Sequence, residues 1–228
     1  MRLLLLVAAF ANRTSADLQT DGWDIVPSIL EPDLIEELTA ASDALLASAS
    51  NQHLQQDRFS GSLIPVSKDA AFSKLIAHPA ALAAIRQRGL TSRDPKWMSG
   101  FVISKPPDSP SLGWHQDAWY WDEEVLAYAP PASQLFAMYY LQDTTRKNGC
   151  LRCIPGSHLK EQPLHKILGA AHSTAVRETD HTKDPAHGDP PGAVDIEVKA
   201  GDLVLGDARM LHAAHANNSD KRRTLITM

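Results

Sequence analysis

The chain has 228 residues, 22 Lys+Arg against 27 Asp+Glu and a net charge of -5, with 43% hydrophobic and 21% charged residues. That balance excludes a disordered or collagen-like chain, and the absence of a basic stripe interleaved with aromatics argues against a nucleic-acid binder. One domain that buries its core without disulfide staples is expected, and no apolar run reaches the ~20 residues of a membrane-spanning helix.

Residues 1–16 are an apolar N-terminal segment. Met1-Arg2, the apolar run 3–11 and Thr14-Ser15-Ala16 have the outline of a secretory signal with a small-residue cleavage site. The short run and single charge favour a first helix, and with it a cytoplasmic protein over a secreted or organelle-targeted one. Residues 17–228 then read as a single domain. Asp21-Gly22-Trp23-Asp24-Ile25-Val26-Pro27 is a turn entering a short strand. Pro32 opens a helix that carries Leu34, Ile35, Leu38, Leu45 and Leu46 at helical spacing. A second amphipathic helix is predicted over about 70–88, with Pro79 kinking it or starting a new one.

Beyond Trp97 the pattern changes. The runs 98–104, 135–142, 150–155, 194–199, 202–206 and 223–228 are short, rich in β-formers and punctuated by Gly, Pro, Asn and Asp. Helices followed by many strands predict an α+β, mainly β chain with a sandwich or jelly-roll core. Cys150 and Cys153 sit three apart on such a run, so they face opposite sides of a strand. Two reduced cysteines are expected, neither a strained disulfide nor half of a zinc site. The stretch 160–192 has little periodicity and reads as a long functional loop or lid, with His165, His172, His181 and His187 in solvent.

The chemistry centres on Gly113-Trp114-His115-Gln116-Asp117. On extended chain His115 and Asp117 point to one face, roughly 6–7 Å apart, and could take adjacent positions on one metal. Leu211-His212-Ala213-Ala214-His215 offers a further histidine. Two His and one carboxylate are the facial triad of non-haem Fe(II) oxygenases. Arg223 follows His212 across Asn217-Asn218-Ser219-Asp220, which reads as a hairpin turn returning Arg223 beside the His212 strand. A guanidinium there could clamp the far end of a metal-bound dicarboxylate; otherwise it is an exposed Arg in a basic turn with Arg222. His215 would face away from His212, and His158 closes a loop. Trp119 and Trp121 follow the His-x-Asp directly, as pocket wall or as loop packing.

These segments resemble the phytanoyl-CoA dioxygenase family of Fe(II)- and 2-oxoglutarate-dependent oxygenases. Ile103-Ser104-Lys105-Pro106-Pro107-Asp108-Ser109 leading into Trp114-His115-Gln116-Asp117 is similar to its metal-binding strand and loop. Asn148-Gly149-Cys150-Leu151-Arg152-Cys153-Ile154-Pro155-Gly156-Ser157-His158 resembles its N-G-x-L-x-x-x-P-G-S-H segment, and Gly201-Asp202-Leu203, His212 and Arg223 its end. The resemblance implies a double-stranded β-helix (jelly-roll, cupin-like) core with the N-terminal helices packed on one sheet. It implies His115, Asp117 and His212 as catalytic iron ligands, Arg223 on the C5 carboxylate of 2-oxoglutarate, and Gln116 near that cosubstrate. Trp121 and Trp119 are the candidate substrate contacts. The chain departs from the family at Ala214, where a Ser is common, and at Met138, where some members have Trp; the family's upstream basic residue has only Arg58 as a counterpart. The implied reaction consumes O2 and 2-oxoglutarate, releases succinate and CO2, and hydroxylates an unactivated C–H of a small molecule. Asp117 disfavours halogenation, which needs that position vacant. Desaturation or cyclisation on the same scaffold, a non-catalytic jelly-roll binding module and a zinc hydrolase are the alternatives.

Overall fold

The computed structural model describes residues 16–57, 61–88, 95–118, 128, 132, 134–168 and 185–228. The N-terminal segment up to residue 15, Arg58, Trp119, Trp121, His172 and His181 lie outside the described residues.

Strand β1 (Trp23–Val26) leads to helix α1 (Pro32–Ser48), which has its proline in the first turn and buries Leu38, Ser42, Leu45 and Leu46. A short α2 (Asn51–Gln56) follows, started by Ser50, whose hydroxyl accepts from the His53 amide. Strand β2 is only Ile64–Pro65. The helix expected over 70–88 is broken into a 3-10 turn (Ala70–Phe72), α3 (Ser73–Ile76) and α4 (Pro79–Gln87). A residue before proline avoids the helical region, so His78 sits extended and Pro79 starts a new helix. His78 also accepts the Ala81 amide as its cap.

The remaining strands are β3 (Phe101–Lys105), β4 (Leu112–His115), β5 (Leu135–Tyr140), β6 (Leu151–Cys153), β7 (Val194–Ile196), β8 (Leu203–Asp207), β9 (His212–Ala214) and β10 (Arg223–Thr227). They form a six-stranded sheet ordered β1-β8-β5-β10-β3-β2 and a four-stranded sheet ordered β4-β9-β6-β7. Every pairing is antiparallel.

Period-two alternation sorts the large sheet's residues between two cores. Tyr139, Leu203, Leu205, Val102 and Ile226 meet Leu38, Leu45, Phe72 and Leu75 of the helical layer. Phe136, Met138, Tyr140, Val204 and Leu225 turn the other way, onto Leu151, Cys153 and Ile196 of the small sheet. On the far side of the small sheet, Trp114, Leu211 and Ala213 pack with Ile154, Leu164 and Leu168. Both limbs of the 160–192 loop that are described thus lie on that sheet. Trp114 Nε1 donates to the Gly188 carbonyl at 2.9 Å, and Arg152 stacks 5.2 Å from the Trp114 ring and pairs with Asp189. His165 is 9% exposed and closes a cap on Gln162, so it is not in solvent as expected. Both cysteines are free and buried.

The turn between His212 and Arg223 is not the expected hairpin. β9 belongs to the small sheet and β10 to the large one, where β10 pairs with β3 and β5. The chain crosses between sheets because Asn217 is held from three sides. It bridges to Ser109 and Asn148, and its buried amide donates to the carbonyls of Lys105 and Lys221. Among the described residues no helix is long and apolar enough to cross a membrane.

Candidate active site

His115 ends β4 and His212 begins β9, and the two are direct partners in the antiparallel register. Side chains of directly opposed residues share a face, so the imidazoles meet with ring centroids 4.2 Å apart. Each Nδ1 faces a carbonyl two residues back, Gly113 at 2.8 Å for His115 and Met210 at 3.0 Å for His212. A carbonyl can only accept, so both Nδ1 atoms carry the proton and both Nε2 atoms turn inward. They turn toward Asp117, whose Oδ1 lies 3.6 Å from His115 Nε2 and whose Oδ2 lies 3.6 Å from His212 Nε2. The three groups each offer a ligand atom, all within 4.8 Å of one another.

Asp117 reaches this point although β4 has ended. The Asp117 and Ala118 amides both donate to the Ala208 carbonyl at 2.9 Å. Buried Gln116 donates its side-chain amide to the Arg209 carbonyl. The chain after β4 is therefore fastened to the turn between β8 and β9. That turn is itself locked by Arg209, which forks onto Asp207 at 2.9 and 2.7 Å with both side chains 3% exposed. Phe136 closes the other side of His212, ring to ring at 5.1 Å. It fits because position 206 is glycine: a Cβ there would overlap the Phe136 ring.

Arg223 is buried, and burial draws its pKa down from the usual guanidinium value. One Nη2 bond goes to the Gly149 carbonyl at 2.8 Å, while Nε and Nη1 have no partner among the described residues. Its neighbour across β3, Lys105, is also buried. Gly149 has φ +92 and lies against both the His215 carbonyl and the Lys105 side chain, where a Cβ would crowd them at 2.9 and 3.1 Å. Ala214, two residues along β9 from His212, is buried on the same strand.

His215 is turned away from this cluster and bonds Asp195 at 2.8 Å. Cys150, Asp195 and His215 form a second group of ligand types within 4.8 Å. It is poorly suited to a cation. Burial pushes the Cys150 thiol up to about 12, and Arg146 already occupies Asp195 at 2.9 Å. His158 is buried and bonds the Gln19 carbonyl at 3.0 Å, tying the loop after β6 to the start of the fold. Trp119 and Trp121 are outside the described residues. Sequence reasoning passed over Asp207, Arg209 and Phe136. The local signal of the first two is the Asp207-Ala208-Arg209 turn, which starts five residues before His212.

A sequence profile of the phytanoyl-CoA dioxygenase (PhyH) family matches residues 18–225. The "Probable alpha-ketoglutarate-dependent hypophosphite dioxygenase" of Stutzerimonas stutzeri is 28% identical over 127 residues, covering 54% of this chain and 40% of that protein. The chain spans about half the length of the curated relatives it matches. Among solved structures, HygX from Streptomyces hygroscopicus with nickel and 2-oxoglutarate bound superposes with a TM-score of 0.69 at 17% identity, covering 92% of this chain and 82% of that one. The epimerase SnoN, in complex with Fe3+, alpha ketoglutarate and nogalamycin RO, does so with a TM-score of 0.66 at 21% identity, covering 93% and 80%. At these identities the structural likeness speaks for the fold. The profile runs through β1, the His115–Asp117 segment, β9 and the start of β10, and the chain therefore belongs to the phytanoyl-CoA dioxygenase family.

Proposed function

We propose that the chain is an Fe(II)- and 2-oxoglutarate-dependent oxygenase that hydroxylates an unactivated C–H of a small organic substrate. The observation that carries this reading is the convergence of His115 Nε2, His212 Nε2 and the Asp117 carboxylate within 4.8 Å. Two imidazoles and one carboxylate suit a divalent first-row metal. The backbone carbonyls on both Nδ1 atoms fix the tautomer a metal needs. Nε and Nη1 of buried Arg223, unpartnered among the described residues, suit a carboxylate. The two antiparallel sheets are read as the family's double-stranded β-helix, within a single domain from residue 17 onward.

His115, Asp117 and His212 would hold the iron, and Arg223 the C5 carboxylate of 2-oxoglutarate. Bound together with O2, iron and 2-oxoglutarate supply an oxidant for C–H bonds, with succinate and CO2 released. The protein's part is to orient and to keep water out. Phe136 and the inter-sheet core wall the histidines, Gln116 fastens the ligand segment to the β8–β9 turn, and Trp119 and Trp121 are proposed as the substrate-facing wall. SnoN, an epimerase on the same fold, is the ground for a second reading of this site, in which a carbon centre of the substrate is inverted without gaining oxygen.

Anaerobic Fe(II) titration and a substrate panel read by mass spectrometry test both. His115→Ala, Asp117→Ala and His212→Ala should each lose most Fe(II) affinity and all succinate formation, while His215→Ala keeps both. Iron affinity retained in His212→Ala but lost in His215→Ala would overturn the ligand assignment. A product heavier by one oxygen identifies hydroxylation, and an isomer of unchanged mass the second outcome.

A further inference from the structure

Lys105 on β3 and Arg223 on β10 are direct register partners, so both side chains leave the sheet on one face. Ile103 and Leu225, two residues along each strand, belong to the inter-sheet core, so that face is the inner one. Lys105 is 1% and Arg223 2% exposed. Like charges directly opposed on paired strands repel, and a buried cation without a counter-charge is costly. The contacts the two make do not offset this. Lys105 Nζ donates to the Pro110 carbonyl and Arg223 Nη2 to the Gly149 carbonyl. An ammonium has three N–H donors and a guanidinium five, and Arg223 Nε and Nη1 are unpartnered among the described residues.

Among the described residues the titratable groups around the pair supply no anion. Tyr140 on β5 and Cys150 before β6 both couple to Arg223, but burial raises both, Cys150 to about 12, so each stays neutral. Pro110 and Gly149 present only carbonyls, and Asn217 donates its amide to the Lys105 carbonyl. Gly149 also joins the two cations, taking the Arg223 bond while a Cβ there would lie 3.1 Å from Lys105 Cδ. Gly149 is four residues before Cys153, the register partner of His212. The His212 ring meets Phe136 of the same inter-sheet core, so the cation pair and the histidines face one inter-sheet space.

Granting the cosubstrate reading above, we propose that Lys105 and Arg223 together form a two-cation receptor for the distal carboxylate of 2-oxoglutarate. One consequence is linkage to protons. Without the anion, burial and the charge of Arg223 hold the Lys105 pKa well below the lysine range. A carboxylate alongside favours the ammonium. Dicarboxylate binding therefore raises the Lys105 pKa, and in the pH range between its free and bound values Lys105 takes up a proton and affinity falls with rising pH by at most about tenfold per pH unit. A 2-oxo monocarboxylate such as 2-oxobutyrate lacks the distal group and escapes this dependence.

Calorimetric titration of the Fe(II)-loaded protein under anaerobic conditions, in buffers of different ionisation enthalpy, reads affinity and proton count together. Across a series of pH values wild type should take up a proton with 2-oxoglutarate, in the range between the free and bound Lys105 pKa, and not with 2-oxobutyrate. Lys105→Met should lose that uptake and bind 2-oxoglutarate at least about tenfold more weakly, a charge-assisted contact being removed, with 2-oxobutyrate unaffected. Lys105→Arg should keep most of the affinity but lose its pH dependence. Wild-type affinity and pH profile in Lys105→Met overturn the inference. Arg223→Met separates the two levels: if only Arg223→Met weakens 2-oxoglutarate binding, the Lys105 receptor alone falls, and if neither variant does, the cosubstrate reading falls with it. Should Lys105→Met fail to fold, absence of proton uptake in wild type, or uptake retained in Lys105→Arg, overturns the inference, and uptake that Lys105→Arg lacks supports it.

Discussion

The two histidines work as ligand candidates because each is fixed at its other nitrogen. A backbone carbonyl on Nδ1 leaves one tautomer and one ring orientation, and Phe136 restrains the His212 ring from the side. Phe136 depends in turn on the missing Cβ of Gly206. Gly206→Ala therefore pushes Phe136 into His212. Overpacking of this kind costs about 1–3 kcal/mol of stability, and a displaced ligand should lower Fe(II) affinity by about tenfold or more, roughly 1.4 kcal/mol. Trimming the ring in Gly206→Ala/Phe136→Leu should restore much of the metal affinity. Thermal melts and metal titrations of the three proteins check this; an iron affinity unchanged in Gly206→Ala would show that the ring does not govern His212.

At the scale of elements, the β8–β9 turn holds the site together. Ala208 receives the amides of Asp117 and Ala118, Arg209 receives Gln116, and the turn ends at His212. The Asp207–Arg209 fork makes this turn rigid. Breaking one side of a buried ion pair strands the other charge and costs about 3–5 kcal/mol. Asp207→Asn should lose stability on that order and weaken Fe(II) binding, although neither residue is a ligand candidate. Asp207→Leu/Arg209→Met removes both charges and should recover much of the stability. Chemical denaturation of the single and double variants measures this; equal losses in both would mean that the pair contributes little beyond its shape.

Over the whole molecule, three layers share the burial: helices on the large sheet, the inter-sheet core, and the 160–192 limbs on the small sheet. The two thiols report on the integrity of the layers around the small sheet. Burial is the chief cause raising both, with Asp195 and Glu197 adding at Cys150, which reaches about 12, and Asp21 at Cys153. A group held protonated by the fold stabilises it fully below its unfolded pKa, about 8.5 for a thiol. That stability is lost as pH rises from there through the folded value. The protein should therefore lose melting temperature above about pH 8.5, and Cys153→Ala should flatten part of that slope. At neutral pH neither thiol should react with a disulfide reagent faster than the protein unfolds, which a timed thiol assay measures.

Much of this is legible in the sequence. Hydrophobic periodicity and Pro32 marked α1, runs of β-formers marked most strands, and the His-x-Asp spacing with a distal His and Arg marked the candidate site. Local patterns carry such information because helix and strand repeats, proline geometry and ligand chemistry act within a few residues. What tertiary structure alone decided is pairing. The sequence between His212 and Arg223 has the turn residues of a hairpin, yet the chain passes from one sheet to the other, because Asn217 is bonded to the Lys105 carbonyl and bridged to Ser109, both more than a hundred residues earlier. The cation pair of Lys105 and Arg223 exists only through the β3–β10 register. The Asp207–Arg209 lock and the Phe136–Gly206 fit matter only because the turn and the ring land beside His212. A sequence lists which side chains can bond, but which carbonyl, ring or like charge stands opposite each one is set by long-range strand pairing, and that pairing is fixed by the burial of all the layers at once.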